Sequence, residues 1–159
     1  MGAAVCGCGG DWGTVVGWDA EWGLARLVGQ WRIVREVAGQ ASMSGVAVFE
    51  RMADGRVFYR EYAEVWLLNG KRLRGEQRYF YQAIDKGFAV FLYETGEGFE
   101  RVEFAAKMGG EYVAAAEHHC KDDRYASEYR FHEDGWFQVR HTVRGPRKDY
   151  VVQTLYVQD

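Results

Sequence analysis

The sequence has one proline, three cysteines and no hydrophobic run that approaches the roughly 20 apolar residues of a membrane-spanning helix. Because the single proline is Pro146, long strands can run elsewhere without losing a ladder donor. Three cysteines is an odd number, and Cys120 stands far from Cys6 and Cys8, which rules out a disulfide framework and points to a reducing, cytoplasmic setting. Charge of one sign is missing too. The 20 basic and 23 acidic residues are interspersed and leave a net charge of −3, so no basic stripe follows a phosphate backbone and nucleic acid is set aside as a partner. The first residues lack the basic-then-apolar order of a secretory signal, and Cys6 occupies the place where a myristoylation pattern needs Ser or Thr.

What is present is apolar and aromatic. Of the 159 residues 48% are hydrophobic, with six tryptophans, ten tyrosines and nine phenylalanines, enough for one packed core. Residues 1–24 form a glycine-rich, irregular leader in which Asp19 to Leu24 can make one short helical turn with Asp19 as N-cap. Residues 25–159 make a single domain. There the apolar residues alternate, predicting strands over 28–37, 45–52, 56–67, 71–84, 88–93, 99–105, 112–120, 124–132, 136–144 and 148–157. Asp54-Gly55, Asn69-Gly70, Asp85-Lys86-Gly87 and Glu133-Asp134-Gly135 are turn sequences of hairpin length. About ten long antiparallel strands, with no helical pattern to cover a face, lose their exposed edges most simply by closing into a meander barrel. The expected fold is therefore all-β.

Alternation then sorts side chains between lumen and solvent. Trp31, Ile33, Arg35 and Val37 share one face; Tyr59 and Glu61 lie on the matching face of their strand. Two opposite charges inside a barrel must be paired. Arg35 and Glu61 either neutralise each other or present the Arg35 fork to a carboxylate or phosphate. Between two alternating strands, H-H-C-K-D-D-R-Y places His118 and Cys120 on one inward face and Asp123 and Tyr125 on the next, across a turn at Lys121-Asp122. That set permits a polar network fixed by Asp123, a general acid and base pair of His118 with Asp123 in an isomerase or hydrolase, or a thiolate at Cys120. His118, Cys120 and Asp123 match no closed zinc pattern, so no metal site is expected. Tyr79 and Tyr150 add flat inward faces, and Arg147 and Lys148 give the mouth a positive rim.

Two resemblances add to this reading. Gly29-Gln30-Trp31 is similar to the G-x-W signature of lipocalin and calycin barrels, which implies a tryptophan sealing one end beneath a basic residue of the last strand, here Arg147 or Lys148. The wider set of Leu27, Gly29, Trp31, Ile33 and Arg35, with Tyr59-x-Glu61, Arg78-Tyr79, His118-x-Cys120-x-x-Asp123-x-Tyr125 and Gly145 to Tyr150, resembles the domain-of-unknown-function family 6314 over about residues 27–158. That resemblance implies a calycin-like or lipocalin-like barrel and no particular activity. The chain departs from it at Phe99-Glu100, where the family has Phe-His. The expected function is a cytoplasmic small-molecule binding protein holding an anionic or aromatic ligand, with an enzyme as the alternative. The ligand-binding set is Trp31, Arg35, Tyr59, Glu61, Tyr79, His118, Cys120, Asp123, Tyr125, Arg147, Lys148 and Tyr150; self-association stays open.

Overall fold

The structure, a computed structural model, describes residues 20–158; the leader with Cys6, Cys8 and the Asp19 cap, and the side chains of residues 20–22 and of Cys120, lie outside the described residues. Ten strands follow one short helix. They are α1 (Ala20–Leu27), β1 (Gly29–Val37), β2 (Ala41–Arg51), β3 (Val57–Leu67), β4 (Arg72–Ile84), β5 (Gly87–Leu92), β6 (Gly98–Met108), β7 (Glu111–Cys120), β8 (Asp123–His132), β9 (Phe137–Arg144) and β10 (Asp149–Val157). Each strand pairs antiparallel with the next, and β1 closes the ring on β10 from Arg32↔Val157 to Val37↔Val152. The barrel is closed, as the alternation predicts. No helix among the described residues is long and apolar enough to cross a membrane.

Boundaries differ from the sequence pattern where turn chemistry was overlooked. β2 begins at Ala41 rather than Gly45, because Gly39 at φ 72° makes a tight turn and the Gln40 amide donates to the Val37 carbonyl at 2.9 Å. The helix runs through Leu27, past the expected leader boundary at residue 24. Register shifts between Phe104 and Ala106 of β6, leaving Ala105 without a partner on β7.

The two ends of the barrel are unlike. At the end where β1 starts, Leu24 and Leu27 of α1 are fully buried with Trp31, Phe49, Phe131 and Phe137 in one core. Trp31 meets Phe137 edge-on at 4.8 Å, and its Nε1 donates to the Leu27 carbonyl at 2.8 Å, satisfying one of the acceptors that a helix C-terminus leaves open. Arg26 Nη2 donates to the His132 carbonyl at 2.6 Å and so ties the same helix to the β8–β9 turn. The opposite end holds the β7–β8 hairpin, where Lys121 at φ 57° is the one positive-φ residue other than glycine among those described.

The Trp31 partner expected from the lipocalin-type signature is not formed. Lys148 lies in the turn just before β10, whereas Ile33 pairs with Tyr156 near the end of that strand, so Trp31 and the Arg147-Lys148 turn are at opposite ends of the barrel. Aromatic packing and a helix carbonyl take the place of a basic lid. Trp31→Ala should cost about 3–5 kcal/mol in urea unfolding, and Trp31→Phe only a fraction of that, since Phe keeps most of the ring contact and loses the indole donor.

Candidate functional site

Arg35, near the end of β1, points into the barrel and reaches Glu61 of β3 across the small residues of β2. Its Nη1 and Nη2 donate to Glu61 Oε1 and Oε2 at 2.6 and 2.8 Å, and its Nε donates to Thr154 Oγ1 of β10 at 2.7 Å. The Tyr59 hydroxyl also donates to Glu61 Oε2 and lies 3.2 Å from the hydroxyl of Tyr156. Burial alone would lower the Arg35 pKa, but the Glu61 carboxylate outweighs it and raises the value. Of the two readings open for Arg35 and Glu61, the structure forms the mutual pair, with three guanidinium donors committed.

A second network lies on the other wall, and sequence reasoning missed most of it. Glu100 of β6 is 3% exposed; Ser127 Oγ donates to its Oε2 at 2.6 Å and the Tyr129 hydroxyl to its Oε1 at 3.1 Å. Ser127 Oγ also lies 2.8 Å from His141 Nδ1 of β9. Because the serine proton goes to the carboxylate, the Nδ1–H of His141 donates to Ser127, leaving Nε2 as a bare acceptor. Burial, chiefly, lowers the His141 pKa below 6.5, with Glu100 opposing and Arg35 assisting, so the ring is neutral at pH 7. The signal was present in the alternation of Glu100, Val102 and Phe104 on β6 and of Val139, His141 and Val143 on β9.

At the mouth, the hairpin delivers His118 and Tyr125 as a stacked pair with ring centroids 4.9 Å apart and planes 4° from parallel. His118 is buried, its pKa is lowered chiefly by desolvation, and its Nε2 has no hydrogen-bond partner among the described residues. Asp123 does not orient it. Instead, Lys148 Nζ bonds the Tyr125 hydroxyl at 2.9 Å and lies 3.6 Å from Asp123 Oδ2. The Asp123 carboxylate packs so tightly on Gly145 that a Cβ there would overlap its Oδ1. The His118–Asp123 acid and base pair is therefore not made. The Cys120 side chain lies outside the described residues, and Arg147 is exposed. No group of three or more His, Cys, Asp or Glu side chains placed to hold a metal occurs among the described residues.

Between these networks the barrel holds a partly open cavity of about 270 Å³. Six residues of the expected set line it: Arg35, Tyr59, Tyr79, His118, Tyr125 and Tyr150. Trp31 belongs to the packed end towards α1 and Glu61 is taken up by Arg35 and Tyr59, while Asp123 and Lys148 brace the rim. Residues 27–158 match the family of unknown function DUF6314. The chain belongs to this family. No curated protein matches the DUF6314 chain. Among solved structures, the S-type phycobiliprotein lyase CPES from Guillardia theta is similar at a TM-score of 0.52 and 14% identity, over 90% of this chain and 94% of that one. A redesigned beta barrel, mFAP1, solved bound to DFHBI, gives a TM-score of 0.39 and 8% identity over 86% and 98%. At these identities the likeness to the lyase is one of fold.

Two outcomes follow for the DUF6314 barrel. Glu61→Gln leaves Arg35 as a buried cation without its counter-ion and should cost about 3–5 kcal/mol, whereas Arg35→Met combined with Glu61→Leu should recover most of that in denaturant melts. The second concerns alkali. Burial, then Glu61 and Glu100, push Tyr79 up to about 12 from 10.0, and burial raises Tyr59, Tyr81 and Tyr129 in the same direction. Native tyrosines then hold protons that the unfolded chain releases, so this stability is complete below pH 10 and is lost as pH rises towards 12. Tyrosinate absorbance of these residues should appear together with unfolding, not before it.

Proposed function

We propose that this DUF6314 protein is a small-molecule binding protein that takes one compact, partly aromatic ligand into the barrel from the end occupied by the β7–β8 hairpin. The observation that carries this reading is the cavity of about 270 Å³ left inside a fold with enough aromatic side chains to have filled it. At about 30 Å³ per water in the liquid, it holds on the order of nine waters. Apolar and aromatic walls with a few convergent polar groups are the usual form of a ligand pocket.

The aromatic half of the expected ligand has the better support. Tyr79 stacks on Phe99 with centroids 5.5 Å apart and on Tyr59 at 5.9 Å, presenting ring faces along one wall. For an anion the anchor was Arg35, whose fork Glu61 already occupies; positive charge remains at the rim on Lys148. A reducing, cytoplasmic setting fits the odd cysteine count.

Native mass spectrometry of the protein from its own host tests the reading. The expected result is a retained small molecule on the native chain and none on Val152→Trp, where the indole fills the cavity beside β10 without changing the far-ultraviolet circular dichroism. Equal retention by both chains would place any bound molecule outside the barrel and end this reading.

A further inference from the structure

The charges that face the cavity do not balance. Arg35 and Glu61 neutralise each other. His118 and His141 are held neutral by burial. Glu100 is left. Its partners, Ser127 and Tyr129, are neutral hydroxyls, and no Lys or Arg among the described residues forms a salt bridge with it. Nearby cations are engaged elsewhere: Arg101 with Glu103, Arg144 with Asp149, and Lys148 with Tyr125 and Asp123. A carboxylate buried without a counter-ion is costly, and proteins keep one chiefly where something else supplies the charge.

The groups around Glu100 add no positive charge. His141 offers Nε2 as an acceptor, because its Nδ1–H is spent on Ser127. The ring faces of Tyr79 and Phe99 carry the negative side of the aromatic quadrupole. The other polar side chains on the cavity, His118 with its unpartnered Nε2 and Gln77, are neutral and offer an anion no counter-charge. We infer that the cavity binds an organic cation, an ammonium or amidinium on a small and partly aromatic body, with its N–H donors on Glu100 and its charge against the Tyr79 and Phe99 rings. This rests on the ligand-binding reading and adds the sign of the ligand's charge. It reverses the anionic preference expected from Arg35, since the cation inside the barrel is already neutralised and the anion is not.

The test uses three probes that share a phenylethyl body, 2-phenylethylamine, 2-phenylethanol and 3-phenylpropanoate, titrated calorimetrically at neutral pH into the full chain and into Glu100→Gln. The amine should bind at least about tenfold tighter than the alcohol, with the carboxylate weakest. In Glu100→Gln the amine should fall to the level of the alcohol, whose own affinity stays within about twofold. The variant should also melt at an equal or higher temperature, because an amide oxygen still accepts from Ser127 and the unneutralised charge is gone; a purely structural Glu100 would melt lower. An amine that binds no better than the alcohol, or a preference that survives in Glu100→Gln, overturns the inference and leaves the ligand-binding reading standing. Binding of none of the three overturns both.

Discussion

The guanidinium of Arg35 is a full charge inside a barrel, and the lumen is arranged around neutralising it. Glu61 supplies the counter-charge from β3, Thr154 takes the third donor from β10, and Tyr59 and Tyr156 close the shell. Their reach depends on β2 being small where it passes between. Ala47, opposite both Trp31 and Glu61, is fully buried. Gly45 lies so close to β3 that a Cβ would overlap the Tyr62 carbonyl oxygen. The pair thus couples strands one apart in the ring and sets where the packed interior stops.

From that level the barrel divides by chemistry. Towards α1 the interior is a stack of rings, with Phe137 parallel to Tyr156 at 4.2 Å and edge-on to Trp31. Towards the β7–β8 hairpin the inward residues turn to tyrosine, histidine, serine and glutamate. These side chains bond in pairs along the wall and leave the centre open. One end gains stability by filling space. The other gives up packing and retains a buried carboxylate, an exchange that residue burial alone would not favour.

Much of the architecture was legible because alternation and turn residues agree with each other along the whole chain. Asp54-Gly55, Asn69-Gly70 and Glu133-Asp134-Gly135 sit where hairpins form, and the single proline falls in the last turn. Arg35, Glu61, Tyr59, Tyr79, His118 and Tyr125 were found by the same period of two. Glu100 and His141 obey that period equally well but are inconspicuous, because the inward neighbours of each on its strand, Val102 and Phe104 or Val139 and Val143, are apolar. The His118–Asp123 pair illustrates the opposite error. Nearness in a hairpin suggests a hydrogen bond, yet Lys148, from the turn between β9 and β10, takes the aspartate.

By itself, the sequence determined a closed antiparallel meander, the face each strand turns inward, and the fact that two opposite charges share the lumen. These are local properties: a two-residue period and a set of turns fix them whatever the neighbouring strands do. Only the tertiary structure decided which inward groups meet. Arg35 found Glu61 and left no cation for Glu100, and Trp31 and Lys148 came to opposite ends. Ser127 joined Glu100 to His141 from three different strands. Such pairings depend on the register and stagger of a ring that closes between its first and last strands, and no stretch of the chain encodes that alone.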